Sequence, residues 1–189
     1  MSNIINKVID YVFYRSERIG RFGKPFTLWK FRTMRFASDT MGRYSAATDD
    51  PRITRIGKYL RKYKIDEIPQ LINVIKGDMA IVGPRPEVKH YVDMLTENQR
   101  KIVLSCKPGL SDLASIRFHN EAEILDGKED PEAYYRDVLR PEKVMLQIEG
   151  IKNKSFWYDL RIIFKTLWTL VNRTTLRNKK QRGVNYGSE

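Results

Sequence analysis

The sequence predicts an α/β (α+β) fold: a single compact domain of helices around a small β-hairpin or sheet, with amphipathic helices suited to an interface. Three observations predict it. With 189 residues, the chain suits one domain that buries a core. Alternating residues on either side of a glycine-containing turn near the N-terminus predict a hairpin. Apolar residues at three-to-four spacing recur along the rest of the chain and predict amphipathic helices.

The same patterns divide the chain into three segments. Residues 1–12 are predicted to form a short amphipathic segment, because their apolar residues share one helical face: Ile4, Ile5, Val8, Ile9 and Val12. Residues 13–172 are predicted to form the domain, and residues 173–189 a basic, disordered tail. No window approaches the roughly 20 apolar residues of a membrane-spanning helix, and no signal-peptide pattern is present.

A hairpin is predicted between residues 13 and 34, with strands near 13–15 and 26–34 and a turn at 20–23. Alternate residues of the second strand share a face: Phe26, Leu28, Lys30, Arg32 and Met34. Lys30 and Arg32 should therefore point the same way. Taken alone, they are typical of the protective cations of an edge strand.

A helix is predicted after the small and polar residues of a loop at 37–50. Its apolar residues recur at helical spacing, at Ile56, Tyr59, Leu60 and Tyr63, and its opposite side is basic, with Lys58, Arg61 and Lys62. A solvated face is the ordinary explanation of these cations. Because the helix leads directly into residues 66 and 67, Arg61 is also a candidate phosphate ligand.

The stretch 64–86, KIDEIPQLINVIKGDMAIVGPRP, concentrates the predicted chemistry. A short helix is predicted from its apolar residues, which share one face: Ile68, Leu71, Ile72 and Ile75. Pro69 fits the first turn, which places Asp66 at or next to the N-cap. Lys76 and Gly77 end the helix. A short apolar run at 79–82 then leads to Gly83-Pro84-Arg85-Pro86.

Two compatible interpretations exist for the adjacent carboxylates of Asp66 and Glu67. In the first, Asp66 caps the helix and Glu67 is an acid of its first turn. In the second, both lie near a phosphate and a divalent metal ion at a helix N-terminus. A helix N-terminus lowers the pKa of a carboxyl group, which would keep Asp66 ionised as a nucleophile. Arg85, held between two prolines, would then bind phosphate.

The C-terminal half is predicted to be mainly helical. Residues 87–101 form a helix, residues 107–109 a turn, residues 120–130 a solvated acidic helix or loop, and residues 131–150 one or two helices broken at Pro141. Ser155 caps a last helix with an apolar stripe: Leu160, Ile163, Phe164, Leu167, Trp168 and Val171. Such a stripe is more often core than membrane contact. This one is rich in aromatic residues and leads into a basic tail, as expected at an anionic bilayer.

Charge and cysteine content exclude some classes of protein. The formal net charge is +12, and residues 1–65 carry 15 Lys and Arg against 5 Asp and Glu, whereas residues 112–142 carry 4 against 9. Basic segments suit nucleic acid, anionic lipid or a phosphate-rich substrate, and charge alone does not choose among them. The single cysteine, Cys106, excludes an intrachain disulfide, and with two histidines there is no Cys/His zinc cluster.

Three ordered blocks carry a family resemblance: KPFTLWKFRTM at 24–34, the Asp-Glu dyad and Pro-Arg-Pro element of 64–86, and KPGLSDLAS at 107–115. Together they resemble the bacterial sugar transferases, the monotopic polyprenyl-phosphate phosphoglycosyl transferases. The resemblance extends from about residue 13 to residue 171. Small members of that family usually begin with a long hydrophobic re-entrant helix, whereas residues 1–11 alone precede the match here.

The resemblance implies an enzyme at the cytoplasmic face of the bacterial inner membrane, monotopic or peripheral. It would move a sugar-1-phosphate from a UDP-sugar to polyprenyl (undecaprenyl) phosphate, release UMP and so initiate glycoconjugate or exopolysaccharide synthesis. Asp66 would be the nucleophile that forms a covalent phosphosugar intermediate, and Glu67 would assist through metal binding or proton transfer. Both would bind Mg²⁺, and four cations would bind phosphate: Lys30, Arg32, Arg61 and Arg85. An anionic membrane surface is the expected partner, nucleic acid is not, and a homo-oligomer is left open.

Two other classes stay open at this point. A catalytically silent, membrane-associated subunit would explain the short N-terminus. A basic nucleic-acid-binding module is less favoured, because it leaves the Asp-Glu dyad and the acidic segment 112–142 unexplained. The loop Ser111-Asp112-Leu113-Ala114-Ser115 departs from the Thr-Gly-Trp-Ala-Gln type of run in many relatives. If that loop contacts the nucleotide or the sugar, substrate choice is shifted.

Overall fold

The computed structural model describes residues 9–36 and 50–183, with side chains as far as residue 172. Predictions for residues 1–8, for most of the loop 37–50 and for residues 184–189 lie outside the described residues. Within the described part, two small two-stranded sheets are surrounded by mostly short helices. The mixed α and β fold predicted from the sequence is confirmed.

The first sheet is the predicted hairpin. Strand β1 (Phe13–Ile19) pairs antiparallel with β2 (Pro25–Phe31), and a tight 3₁₀ turn at Arg21–Gly23 joins them. The second strand ends earlier than predicted, because the chain leaves the ladder after β2 and Met34 instead forms an isolated bridge with Ile53. This early end separates the directions of Lys30 and Arg32, which were predicted to share a face.

The helices follow in chain order: α1 (Arg55–Lys62), α2 (Gln70–Lys76), α3 (Lys89–Asp93), α4 (Glu97–Val103), α5 (Leu113–Arg117), α6 (Glu121–Leu125), α7 (Pro131–Tyr134), α8 (Arg140–Lys152) and α9 (Phe156–Gly183). The helix predicted for 87–101 is thus two helices. A π-helical segment at Tyr135–Leu139 joins α7 to α8. The break predicted at Pro141 takes this form, since Pro141 lies at the start of α8, where its missing N–H is tolerated. Helix α9 includes the first part of the predicted tail.

The second sheet joins distant parts of the chain. Strand β3 (Ala80–Val82) pairs parallel with β4 (Gly109–Ser111), and α3 and α4 lie in the crossover between them. Helix α9 packs on this sheet, and its Thr166 hydroxyl lies 2.5 Å from the Ser111 hydroxyl; Ile162 of the same helix is buried. Two clusters of buried apolar residues lie among helices α3 to α8: Tyr91, Leu125, Tyr135 and Leu139 form one, and Leu95, Val103 and Val144 form the other.

The aromatic stripe of α9 faces outward rather than into the core. Phe164, Leu167, Trp168 and Val171 are all exposed. Such a stripe is usually core, but here another side of α9 faces the domain, with Ile162 buried and Thr166 bonded to Ser111. None of the described helices has both the length and the apolar character needed to cross a membrane.

Helix α2 attaches to the hairpin through polar side chains. Asn73 is fully buried; its Oδ1 accepts a hydrogen bond from the Trp29 N–H at 3.1 Å, and its Nδ2 donates to the Thr27 carbonyl at 2.7 Å. These bonds satisfy backbone groups on the edge of β2 that β1 does not pair. The apolar face predicted for this helix exists, but it points outward: Ile68, Leu71, Ile72 and Ile75 are exposed.

Replacing Asn73 with Ala is expected to destabilise the domain by about 2–4 kcal/mol, because two backbone groups of β2 lose their partner in a part-buried place. For a domain of this size that corresponds to a fall in Tm of roughly 5–15 °C, measurable by calorimetry. Ile75→Ala, in the same helix, removes a side chain that is 86 % exposed and serves as the control. It should change the free energy of unfolding by no more than about 0.5 kcal/mol. Equal effects of the two variants would contradict the polar attachment.

Candidate active site

The Asp-Glu dyad lies in a 3₁₀ turn, Ile65–Glu67, between α1 and α2. The prediction that Asp66 lies at or next to the N-cap of the following helix is wrong. Helix α2 has Pro69 at its N-cap, without a side-chain cap, and the 3₁₀ turn intervenes. Lys64 adopts a left-handed conformation (φ 57°) that turns the chain between α1 and the dyad. Such a conformation is uncommon for a residue other than glycine and indicates a constrained corner.

Glu67 is the most strongly paired residue of the site. Its Oε1 accepts hydrogen bonds from Lys30 Nζ at 3.2 Å and from Arg85 Nη2, and its Oε2 accepts one from Arg85 Nη1 at 3.2 Å. Burial opposes ionisation of Glu67, but the charges of Arg85 and Lys30 outweigh it and hold the pKa of this carboxyl well below its usual range. Glu67 is therefore a fixed anion that orients two cations.

Asp66 is in the opposite situation. It is buried, and its Oδ1 has no hydrogen-bond partner among the residues the structure describes. Burial, together with the charge of Glu67, raises the pKa of Asp66, although Lys30, Lys64 and Arg61 counteract the shift. A lowered pKa was predicted from a helix N-terminus. That prediction is wrong because the helix does not begin at this residue and desolvation dominates.

Three of the four predicted phosphate ligands come together at the dyad. Lys30 and Arg85 bind Glu67, and the charge of Arg61 acts on Asp66. The Arg61 side chain is oriented by its Nε, which donates to Thr33 Oγ1 at 3.1 Å. Burial lowers the pKa of Arg61 and also that of Lys30. Desolvated cations of this kind bind a phosphate more strongly than solvated ones, because water screens them less.

Arg32 does not join this group. Its Nε donates to the Asp10 carbonyl at 2.7 Å, and its guanidinium lies 4.4 Å from the centre of the Phe36 ring. It follows the last residue of β2, so the strand alternation that would have turned it toward Lys30 no longer applies. Arg32 contacts residues close to the N-terminus of the described chain instead of the dyad.

Close backbone packing positions the loop Gly83-Pro84-Arg85-Pro86. A Cβ added to Gly109 would lie 2.2 Å from the Gly83 nitrogen, so a side chain at residue 109 would push the loop away. The loop is further held by the Gly109 N–H, which donates to the Pro84 carbonyl at 2.9 Å. These contacts with β4 thus fix the backbone of the loop that carries Arg85, whose guanidinium binds Glu67.

Sequence reasoning missed two residues beside the dyad. Lys64 is half-buried, and its charge acts on both Asp66 and Glu67. Gln70 is 1 % exposed, and its Nε2 has no hydrogen-bond partner in the described part of the chain. Lys64 could have been found by its adjacency to the dyad. Gln70 could not, because its burial follows from the outward orientation of the apolar face of α2.

Metal ligands are scarce around the dyad. Within residues 9–36 and 50–183, no group of three or more His, Cys, Asp or Glu is placed to hold a metal ion. Both oxygens of Glu67 already bind cations, whereas Asp66 Oδ1 is available. One carboxylate suits Mg²⁺, which usually binds one or two carboxylates and completes its shell with water and substrate phosphates. The residues present therefore fit Mg²⁺ at Asp66 better than at Glu67.

The opposite pKa shifts of Asp66 and Glu67 predict that Asp66→Asn and Glu67→Gln change Tm with opposite dependence on pH. A group with a raised folded-state pKa loses its contribution to stability as the pH rises through that pKa, so Asp66 disfavours the folded state at neutral pH. Asp66→Asn removes this penalty. The Tm of Asp66→Asn relative to wild type should therefore be higher at about pH 7.5 than at about pH 4.

Glu67→Gln supplies the comparison of opposite sign. A depressed pKa contributes stability above the unfolded-state pKa, and this contribution is lost as the pH falls through the folded-state value. Glu67→Gln should accordingly lower Tm at about pH 7.5 and do so less at about pH 4. Melting curves at both pH values, followed by circular dichroism, check the pair. The same pH trend in both variants would show that the two carboxyl groups do not differ as described.

A family model and several curated proteins are similar to this chain, and they point to the same family. Residues 3–173 match the bacterial sugar transferase family. EpsL, an uncharacterized sugar transferase of Bacillus subtilis, is 37 % identical over 161 residues, which cover 85 % of this chain and 70 % of that protein. The UDP-N-acetylgalactosamine-undecaprenyl-phosphate N-acetylgalactosaminephosphotransferase of Aeromonas hydrophila is 36 % identical over 85 % of this chain and 35 % of its own length.

A third relative is the UDP-glucose:undecaprenyl-phosphate glucose-1-phosphate transferase of Escherichia coli. It is 33 % identical over 160 residues, which cover 83 % of this chain and 32 % of that protein. The chain thus spans about a third of the length of these last two relatives. The family match covers the hairpin, the dyad, the Pro-Arg-Pro loop and most of α9. The chain belongs to the bacterial sugar transferase family.

Proposed function

We propose that this chain is a phosphoglycosyl transferase that moves a sugar-1-phosphate from a UDP-sugar to undecaprenyl or another polyprenyl phosphate. One observation carries the proposal: the buried carboxylate of Asp66, whose Oδ1 has no hydrogen-bond partner within residues 9–36 and 50–172, lies beside the fully paired carboxylate of Glu67, among cations. The names of the A. hydrophila and E. coli relatives, which specify UDP-sugars and undecaprenyl phosphate, support the substrate classes.

In the first step, an Asp66 oxygen attacks the phosphorus that bears the sugar. A bond from carboxylate oxygen to phosphorus forms, the bond from that phosphorus to the bridging oxygen breaks, and UMP leaves with the electron pair. Desolvation favours this attack, because the Asp66 carboxylate is buried and has little hydration to lose. Lys30, Arg61 and Arg85 offset the negative charge of the diphosphate.

In the second step, a phosphate oxygen of the lipid acceptor attacks the same phosphorus. The bond to Asp66 breaks, the carboxylate is regenerated, and the sugar becomes attached to the lipid through a diphosphate. No proton needs to be removed from an ionised acceptor phosphate. Glu67, which already binds Arg85 and Lys30, holds these cations in place through both steps rather than serving as a base.

Mg²⁺ is the proposed cofactor. Asp66 Oδ1 would hold it together with substrate phosphates, and the ion would neutralise charge that develops on the phosphoryl oxygens. With Glu67 engaged by two cations, its predicted role as a second metal ligand requires that one of these pairs be given up.

Attachment to a bilayer is part of the proposal, because the acceptor is a lipid. Two exposed apolar surfaces support it. The first is the outward stripe of α9, where Trp168 is 70 % exposed, and the second is the outer face of α2, directly after the dyad. The basic residues that follow the stripe in sequence would add attraction to anionic lipid at the cytoplasmic face, about 1 kcal/mol each.

Asp66→Asn tests the covalent step. The amide keeps the shape of the side chain but is not a nucleophile, so UMP release from a UDP-sugar in the presence of polyprenyl phosphate should fall on the order of 10³-fold or more. A panel of UDP-sugars identifies the donor first. With that donor and no acceptor, intact mass spectrometry should detect a sugar-phosphate adduct on the wild type and none on Asp66→Asn.

Substantial turnover by Asp66→Asn would reject Asp66 as the nucleophile. No turnover by wild type with any donor, in detergent and with Mg²⁺, would favour the catalytically silent subunit instead. Lys62→Gln is the matched control for the cationic site. Its Nζ lies 5.2 Å from the centre of the Tyr63 ring, and its charge is not among the main charges that shift the pKa of Asp66, so its activity should equal that of wild type.

Trp168→Ala tests attachment. Wild type should bind vesicles that contain anionic lipid, and high salt should weaken but not abolish this binding, because salt screens the basic residues and leaves apolar insertion intact. Trp168→Ala should weaken binding further without lowering Tm. The matched control is Met145→Ala on α8, where the side chain is 69 % exposed outside both apolar surfaces. Equal vesicle binding by both variants would reject α9 as the attachment surface.

A further inference from the structure

Asp112 links the loop of Arg85 to another part of the fold. It is 5 % exposed and lies between β4 and α5. Its Oδ1 accepts a hydrogen bond from the Ser115 N–H at 2.6 Å, which caps α5. Its Oδ2 accepts one from the Arg85 N–H at 3.1 Å. A single buried carboxylate therefore joins the start of α5 to the middle of the Pro-Arg-Pro element.

The bond to Arg85 is unusual in its position. Pro84 and Pro86 have no backbone N–H, so Arg85 carries the one amide donor of this three-residue element. Both prolines are buried, and a buried amide without a partner would be costly. The Asp112 carboxylate accepts a hydrogen bond from this amide and so satisfies it. The direction in which Arg85 leaves the backbone is thus set by Asp112 on one side and by the two proline rings on the others.

The other end of Arg85 points at Glu67, which its guanidinium binds through both Nη atoms. The residue is therefore held at its amide by one carboxylate and at its guanidinium by another. When a diphosphate enters, the guanidinium must contact phosphate while the backbone keeps its place. Positions of this kind tolerate little movement, because a displacement of about 1 Å can cost roughly 100-fold in rate.

We propose that Asp112 is a positioning residue for the transfer reaction: it fixes the backbone of Arg85 so that the guanidinium reaches both Glu67 and the donor diphosphate. The inference rests on the proposed function for its kinetic part. It also gives a role to the loop 111–115, where the sequence departs from the run common in relatives. This loop acts on the substrate through Arg85.

An N-cap role alone is the simpler explanation, and Asp112→Ser separates the two. Serine is also a preferred N-cap residue, so the bond to the Ser115 N–H survives. One hydroxyl on a shorter side chain does not also reach the Arg85 amide. A cap alone predicts little change in kinetics. Positioning predicts a loss in donor use, with an increase in donor KM of about tenfold for one lost hydrogen bond to a charged group.

Asp130→Ser is the matched control. Asp130 caps α7 with the same chemistry, since its Oδ1 accepts from the Glu132 and Ala133 N–H groups at 3.0 Å, and it is exposed. The same substitution there should leave donor KM unchanged. Arg85→Lys and the double variant complete the set. If Asp112 acts through Arg85, then Asp112→Ser should add little to the defect of Arg85→Lys. Additive defects would overturn the positioning role.

Hydrogen exchange at the Arg85 amide gives a readout that needs no activity. Because the flanking prolines have no amide, exchange within residues 84–86 reports Arg85 alone. Asp112→Ser should raise this exchange at least about tenfold, while amides of α5 stay protected. Asp112→Asn keeps one acceptor oxygen and should be intermediate; it also replaces Asp112→Ser if that variant does not fold. Unchanged exchange at Arg85 in both variants would overturn the inference. If wild type is inactive, the proposed function fails. The exchange result then still decides whether Asp112 holds the Arg85 amide in place.

Discussion

The ion pairs of Glu67 with Lys30 and Arg85 are the interaction on which the rest of the site depends. They join three segments that are far apart in sequence: strand β2, the 3₁₀ turn and the Pro-Arg-Pro loop. The Glu67 side chain is 14 % exposed, and removing one partner of such a pair leaves a buried charge, at a cost of about 3–5 kcal/mol. The pairs therefore hold the segments in register, whatever their net contribution to stability.

This pairing also determines the state of Asp66. Glu67 takes the hydrogen bonds of Lys30 and Arg85, and the neighbouring Asp66 is buried with no partner for its Oδ1 in the part of the chain that the structure describes. Four cations (Lys30, Arg61, Lys64 and Arg85) act on two carboxylates, so the site retains positive charge that suits a diphosphate. The cost is a strained corner at Lys64 and a raised pKa at Asp66, the kind of local destabilisation that enzymes retain where reactivity requires it.

Features that depend on residues close together in sequence could be predicted from the sequence, whereas features that depend on contacts between distant segments could not. The hairpin, α1 and the end of α2 at Gly77 were predictable, because alternation, helical spacing and a glycine with φ 82° are local properties. The shared neighbourhood of Lys30, Asp66 and Arg85 came from the family resemblance, and Arg61 was added because its helix leads directly into the dyad. The raised pKa of Asp66, the contact of Arg32 with Asp10 and the bond from Arg85 to Asp112 were not predictable, because each depends on packing between distant segments.

Helix α2 packs with its polar side toward β2 and its apolar side outward, and this orientation follows from its attachment to the strand that carries Lys30. An edge strand with unpaired backbone groups can be covered by polar side chains that hydrogen-bond to it, and Asn73 does this for β2. Once the polar side of α2 is committed to the strand that carries Lys30, its apolar side must face outward. The helix that follows the dyad therefore presents isoleucines and leucine beside a charged, buried site. In water such a face is a liability. For the proposed transfer to a lipid phosphate, it would place an apolar surface for the hydrocarbon chain next to cations for the phosphate.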